Sequence, residues 1–378
     1  MSSIRKRFTI SCKTLLPRQS ANKEIMKKIF QKRQAKQPPE KVERITNDTL
    51  AQHREQVLAG GRRFKYPVQY ARHKLVINAI LIGVGAVIAL LVIGWWLLYP
   101  AQNTSEFMYR ITRVIPVPVA SVDGYPVRYS DYLMKYRSSM HYLVEKERVN
   151  PSTEDGQRQS DFVKTEAMKD AVADAYAAKL AKERDIAVTD AELEQFLTQQ
   201  RYMSDGEVSE RAHETVVRDY YGWSPEEYRE AMKNKLLRQK VTYAIDDQAN
   251  QLRDQVSERI KGGEKDLNKI VEQLGGDDSQ KIRFESLDWL PRSNQDGGVT
   301  EAAAKLVPGQ ISDAIRSTTG EGYYFVKLLE RNDSRVKYEF IQIPLTKFVA
   351  DLKQASEQQT DTYIDLPVIE NPAQQRQQ

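Results

Sequence analysis

The sequence predicts a single-pass membrane protein with a mainly α-helical region followed by a small α+β domain. Three observations predict it: an uncharged apolar run at residues 75–99, opposite net charges on the two sides of that run, and a change of periodicity after Lys261-Gly262-Gly263. Before that point apolar residues recur every three or four positions, as in helices. After it they alternate in short runs, as in strands.

The run from Leu75 to Tyr99 has the length of a transmembrane helix. At 1.5 Å per residue it extends about 37 Å, which exceeds the roughly 30 Å of a bilayer's hydrocarbon core. The residues expected at the two membrane interfaces are Arg72, Lys74, Trp95, Trp96 and Tyr99. A cleaved signal peptide fits less well, because the run is long and lies far from Met1. A buried core helix is the remaining alternative.

The distribution of charge predicts the orientation of this helix. Residues 1–74 contain 19 Lys or Arg and 5 Asp or Glu, whereas residues 75–378 contain 38 and 47. Short basic flanks stay in the cytoplasm, so we expect a cytoplasmic N-terminus, a location in the cell membrane and an extracytoplasmic region from residue 100 onward. An acidic exported region is not expected to bind nucleic acid. The single cysteine, Cys12, lies on the reduced side, so no disulfide is expected outside.

The basic arm, residues 1–74, is expected to be largely disordered, because it is rich in Lys, Arg and Gln and is interrupted by Pro38-Pro39 and Gly60-Gly61. The alternative is a membrane-surface helix at residues 22–34, where Ile25 and Ile29 begin an apolar stripe beside a basic face. Nothing in the arm supplies readout of nucleic-acid bases.

Residues 100–118 are expected to form an extended stalk that ends in Pro116 and Pro118, and residues 119–258 a helical domain. A hairpin turn is expected at Asp123-Gly124. The residues expected to cap the helices that follow are Ser130, Thr189 and Ser224, the last followed by a proline at the first helical position.

Residues 259–345 are expected to form the α+β domain. Its three strand-like runs are Ile282–Leu287, Gly322–Leu329 and Val336–Ile343, and its short helices are Glu264–Leu274 and Thr300–Leu306. Residues 346–378 are polar and rich in Gln, and we expect a disordered tail there.

Motifs in the helical region resemble the chaperone domain of SurA-type and PrsA-type foldases. They are VDGYPVRYSDYL at 122–133, LAKERDIAVTDAELEQFL at 180–197 and YGWSPEEYREAMKNKLLRQKV at 221–241. They stand in the family's order. Downstream motifs resemble the later part of a parvulin-type peptidyl-prolyl isomerase domain: DWLPR at 288–292, the glycine pair at 297–298 and LVPGQISDAIRSTTGEGYYFVKLLER at 306–331.

The resemblance implies a foldase that binds unfolded or nascent exported polypeptides near the translocation machinery, and some members of the family also accelerate X-Pro isomerisation. The expected partners are these polypeptides and membrane lipid, with no cofactor. A helical cradle that exposes Tyr and Met and carries net negative charge suits this role, because Met adapts to varied side chains and Tyr is amphipathic.

The isomerase motif is degenerate. The family's site has two histidines, an acidic residue or Cys, and an apolar pocket for proline, whereas this chain has no histidine after His213. Tyr324 stands where one histidine is expected, and Gln295 and Val299 fall near the pocket positions. No catalytic residue is therefore assigned, and a non-catalytic domain is expected.

The first parvulin strand is absent from its usual place, because residues 246–260 show helical periodicity. Its best match is Val336–Ile343, as in a circular permutation, and Phe340 then occupies the position of the other histidine. The alternative first strand is Val241–Ile245, which also lacks histidine.

The sequence thus predicts a membrane-anchored, non-catalytic chaperone, and the alternatives are an active prolyl isomerase and a scaffold for one folded partner. It contains no nucleophile elbow, phosphate loop or His and Cys spacing typical of a metal site. The pairs Asp246-Asp247 and Asp277-Asp278 are interpreted as residues of solvated faces or of loops rather than as a calcium site.

Overall fold

The computed structural model describes residues 46–65, 67–203, 206–276 and 281–367. The predicted surface helix at 22–34, Cys12 and Asp277-Asp278 lie outside these ranges. The chain divides into two compact units, Met1–Val87 and Ile88–Gln378, and the division falls within one long helix.

Two helices begin in the first unit: α1, Asn47–Lys65, and α2, Pro67–Leu98. The expectation of a largely disordered arm is wrong from Asn47 onward, because the segment after Thr46 is rich in good helix formers that outweigh Gly60-Gly61. Within α2, His73–Leu98 is long and apolar enough to cross a membrane.

The second unit contains a helical part and an α+β part. The helices of the helical part are α3, Glu106–Val114; α4, Tyr129–Glu145; α5, Glu154–Glu183; α6, Asp190–Gln200; α7, Glu210–Tyr221; and α8, Pro225–Ile245. Its strands before α8 are β1, Pro118–Val122; β2, Tyr125–Arg128; β3, Tyr202–Met203; and β4, Gly206–Glu207.

Local motifs behave largely as expected. The Asp123-Gly124 turn joins β1 and β2 with positive φ at both residues, and Thr189 and Ser224 form capping boxes with Glu192 and Glu227. The cap expected at Ser130 is wrong, because α4 already begins at Tyr129 and the Ser130 hydroxyl bonds to Asp131 instead.

No extended stalk follows α2. Residues 106–114 form α3, which Ser105 caps and which buries Met108, Tyr109 and Thr112. Pro116 and Pro118 come only after this helix, and Met108 and Tyr109 lie on the helical face that packs into the core.

The elements of the α+β part are helices α9, Asp247–Lys261; α10, Leu267–Gln273; and α11, Val299–Lys305, with strands β5, Arg283–Pro291; β6, Ile315–Arg316; β7, Gly322–Arg331; and β8, Arg335–Pro344. The strands form an antiparallel sheet in the order β5-β8-β7-β6. The three predicted long strands are confirmed.

The chain then returns to the helical part through α12, Lys347–Gln358, and β9, Thr360–Thr362. The expectation of a disordered tail from residue 346 is wrong up to residue 367, because β9 pairs with β1 and Phe348 packs on Tyr176 with ring centroids 5.8 Å apart. Phe348, Ala355 and Ile364 are buried in the helical core.

Asp246 joins the two parts of the second unit. It is 2 % exposed, and its carboxylate accepts N–H bonds from Ala249 in α9 and from Thr346 and Lys347 at the start of α12. The segment that leaves the helical part, α9, and the segment that returns to it, α12, both begin with backbone N–H groups bonded to this carboxylate. Asp246 lies in the link between α8 and α9, so the expected loop position is confirmed, whereas the expectation of a solvated side chain is wrong.

Candidate functional site

The helical part contains an open cavity of about 680 Å³ between α4, α5 and the segment after α7. Its apolar lining consists mainly of Met134, Tyr142, Leu143, Phe162, Tyr221 and Trp223. We call this cavity the helical groove. It differs from a core void because Tyr142, Phe162 and Tyr221 are 39 %, 52 % and 46 % exposed.

One wall of the groove depends on a glycine. Gly222 ends α7 in the left-handed conformation, with φ of +67°, and its N–H bonds to the Arg218 carbonyl. A Cβ atom there would meet the His141 ring at 3.0 Å. The chain can therefore turn tightly between α7 and α8, which stacks Tyr221 on Trp223 with ring centroids 4.9 Å apart.

A charged cluster lies at the base of the groove, where Lys135 and Arg238 each contact the carboxylates of Asp170 and Asp174 within 3.1 Å. Burial lowers the pKa of Lys135, but the two carboxylates outweigh burial, so this pKa is raised. Burial raises the pKa of Asp170, but Lys135 and Arg238 outweigh burial and lower it. Both groups therefore stay charged near neutral pH and tie α4, α5 and α8 together.

The residues expected at isomerase positions lie in the other part of this unit. Val299, Tyr324 and Phe340 belong to one buried cluster between α11 and the sheet, and the rings of Tyr324 and Phe340 are 5.6 Å apart. Gln295 is exposed and lies outside this cluster. We call the cluster the sheet cluster.

The polar atoms of the sheet cluster are internally satisfied. The Tyr324 hydroxyl donates to Glu321 and accepts from Gln342 at 2.8 Å, and burial raises the pKa of Tyr324 to about 12. The Tyr338 hydroxyl donates to Asp296 at 2.9 Å and lies 2.8 Å from the fully buried Thr300 hydroxyl. Side chains thus occupy the space above the sheet, and burial raises the pKa of both Tyr324 and Tyr338, so the two hydroxyls stay protonated at neutral pH.

Strand β8 lies in the middle of the sheet, between β5 and β7. The circular permutation that would make β8 the first parvulin strand stays a prediction. Residues 241–245 belong to α8 and residues 247–260 to α9, so Val241–Ile245 is not a strand and the expected helix is confirmed.

Three of the five residues expected at the membrane interfaces are exposed. Lys74, Trp95 and Trp96 are exposed, whereas the Arg72 side chain lies outside the described set. The Tyr99 hydroxyl donates to the Pro118 carbonyl at 2.7 Å. Among the described residues, no group of three or more His, Cys, Asp or Glu could hold a metal ion.

The specific groove residues were not identified from the sequence. The sequence marks them only by a short pattern, in which an aromatic residue stands on each side of Gly222 and directly before the cap Ser224. Phe162 and Met134 follow the same helical periodicity as core residues, so the sequence does not distinguish them from the core. Only the folded structure shows that Phe162 is exposed in the groove between α4 and α5.

Comparison with known proteins gives two family matches. The family of SurA-like N-terminal domains matches residues 69–242, and the family of PPIC-type peptidyl-prolyl isomerase domains matches residues 236–330. No curated protein matches the chain.

The chain is therefore mostly helical with a small C-terminal sheet region, and it combines a SurA-like chaperone domain with a PPIC-type domain. This combination of matches is consistent with a SurA- or PrsA-type foldase. The helical groove lies in the SurA-like match, whereas β8 begins only after the PPIC-type match ends.

Proposed function

We propose that this protein is a membrane-anchored, extracytoplasmic chaperone that holds unfolded exported polypeptides in the helical groove, and that its PPIC-type domain is not catalytic. The observation that carries the proposal is the groove itself. An open cavity of about 680 Å³ within a SurA-like domain is large enough for several side chains of an extended peptide.

The chemistry of the groove suits varied apolar clients. Tyr142, Phe162 and Tyr221 offer exposed aromatic surface, and Met134 supplies an adaptable contact at the base. Aromatic side chains contribute large contact area at low entropic cost, whereas little in the lining is built to recognise one particular sequence. The expected specificity is broad, with micromolar affinity.

The sheet cluster supports a non-catalytic PPIC-type domain. Twisting a prolyl amide needs a pocket that receives the ring and groups that stabilise the twisted state. Tyr324 and Phe340 instead contact each other where the resemblance expects histidines, and Val299 is buried against the same cluster. Gln295 is exposed and lies outside this cluster, so it does not supply the apolar proline pocket that the resemblance expects.

The length and composition of His73–Leu98 and the basic residues before it support a single membrane crossing with a cytoplasmic N-terminus. Such an anchor would keep the groove close to chains that emerge from the translocation machinery. Its effect is a raised local concentration for those chains.

The test uses the full chain in nanodiscs with two assays in parallel. One assay follows aggregation of a chemically denatured client, and the other follows cis/trans isomerisation of a proline peptide. Suppressed aggregation without isomerisation supports the proposal, and Trp223→Ala should weaken suppression while the control Val307→Ala, at a 56 % exposed site in the other domain, should not.

The PPIC-type match favours one second candidate, an active isomerase. Clear isomerisation that Tyr324→Ala abolishes would favour an active isomerase over the non-catalytic domain. Absence of both activities, together with tight binding of one folded envelope protein, would instead favour a scaffold.

A further inference from the structure

The end of the long apolar helix is part of the folded domain. The Tyr129 hydroxyl, buried at the start of α4, donates to the Leu98 carbonyl at 2.7 Å, and Leu98 is buried in the same core as Met108 and Tyr109 of α3. The position of α3 beside the helix end is thus set by packing rather than by a flexible linker.

The chain reverses direction immediately after α2. The Ala101 N–H bonds to the Trp96 carbonyl and the Asn103 N–H to the Leu97 carbonyl, both at 2.9 Å. Phe107 follows Asn103 by four residues, which span at most about 14 Å even when fully extended. The first turn of α3 therefore begins within about 14 Å of Asn103, which is bonded to the end of α2.

Helix α3 has apolar residues on two opposite faces. Met108, Tyr109 and Thr112 cover the buried face. Phe107 and Val114, seven positions apart and so on one line of the helix, are 66 % and 82 % exposed, and the following Ile115 is 57 % exposed. Arg110 lies beside this line with most of its side chain exposed, and its guanidinium pairs with Glu106 at 2.7 Å.

We propose that α3 is a second membrane contact, an interfacial helix whose Phe107, Val114 and Ile115 insert among the lipid headgroups where α2 leaves the bilayer. The inference rests on the proposed membrane crossing of α2. Trp95 and Trp96 set the depth of the interface, and each headgroup layer is about 6 Å thick. The core that Leu98 shares with Met108 and Tyr109 keeps the first turn of α3 close to this layer. Arg110 can contact lipid phosphates there.

This contact would orient the helical groove. Helix α4 runs from Tyr129, which bonds to the end of α2, to Tyr142 in the groove, a distance of about 20 Å along the helix. With both α2 and α3 held at the bilayer, the domain cannot rotate freely, and the groove stays at one distance from the membrane surface.

The test places a fluorescent label at single cysteines in the full chain with Cys12→Ser. Phe107→Cys and Val114→Cys report on α3, and Val307→Cys is the control at an exposed apolar site in the PPIC-type domain. The chains are reconstituted into vesicles of phosphatidylcholine and phosphatidylglycerol that carry bromine near the headgroups. We expect the labels at 107 and 114 to be quenched at least about threefold more than the label at 307.

Equal quenching at 107, 114 and 307, in a chain that resists alkaline extraction from the vesicles, would overturn the interfacial helix and leave the membrane anchor intact. A chain that alkali releases from the vesicles would overturn both proposals. Strong quenching at 107 and 114 in an alkali-resistant chain supports both.

Discussion

The helical groove and the sheet cluster are both rich in aromatic residues, yet one is open and the other is closed. In the groove, Phe162 and Tyr221 expose about half of their side chains, whereas Tyr324 and Phe340 of the sheet cluster are each 7 % exposed. The difference lies in the framework. Helices α4 and α5 line an open cavity, while antiparallel neighbours in the sheet bring their side chains into direct contact under α11.

The comparison teaches that aromatic content alone does not define a binding site. Aromatic residues bind a client only where their partners within the chain leave surface unoccupied. The sheet cluster uses its aromatic rings to stabilise the domain, and the groove keeps them available.

The largest expected effect is on the stability of the sheet cluster. Phe340→Ala should lower the free energy of unfolding by about 3 kcal/mol, because it removes a buried ring in contact with Tyr324 and Tyr338. Chemical denaturation measures this loss. Client binding should not change, and a loss of binding in a variant that still folds would show that the two regions do not work separately.

A similar loss is expected at the junction between the two regions. Asp246→Ala should cost about 3 kcal/mol, because three buried backbone N–H groups lose a charged acceptor. The matched control is Asp247→Ala at the exposed neighbouring site, which should change stability by less than about 0.5 kcal/mol. Two separate unfolding transitions in Asp246→Ala would show that this carboxylate couples the regions.

Trp223→Ala should weaken client binding by about 2 kcal/mol, or about thirtyfold, because the indole forms one wall of the groove and stacks on Tyr221. Fluorescence anisotropy of a labelled unfolded peptide measures the dissociation constant. The control is Val349→Ala, at a 65 % exposed site on α12, and equal effects of both variants would locate binding elsewhere.

The smallest effect concerns pH. The pKa of Asp170 is lowered in the folded state, so its contribution to stability is present above its unfolded pKa near 3.8 and is lost as pH falls through the folded value. Asp170 is half exposed, and solvent screening limits this contribution to less than about 1 kcal/mol. Asp170→Asn should reduce the fall in the free energy of unfolding at acid pH, measured by chemical denaturation. An unchanged pH dependence would show that the charged cluster at the groove base does not stabilise the helical part.

Features set by neighbouring residues were predictable from sequence. The turn at Asp123-Gly124, the capping boxes of Thr189 and Ser224, the three long strands and the apolar run of α2 all depend on residues within a few positions. The energies of turns, caps and periodic faces are local, so the chain carries them wherever it folds.

The misjudged features depend on distant partners. The segment called a stalk is helical because α3 buries its face on α4, and the segment called a tail is ordered because β9 pairs with β1, about 240 residues earlier in the chain. The burial of Asp246 also depends on a distant segment, because two backbone N–H groups at the start of α12 bond to its carboxylate.

The sequence by itself therefore determined the apolar helix, the three long strands of the sheet and the absence of histidines from the PPIC-type domain. Only the tertiary structure decided which aromatic side chains are exposed and which are buried. It also decided that β8 lies in the middle of its sheet and that α2 ends inside the folded domain. The physical reason is that burial and strand pairing are properties of two segments at once, and a single segment contains only half of each contact.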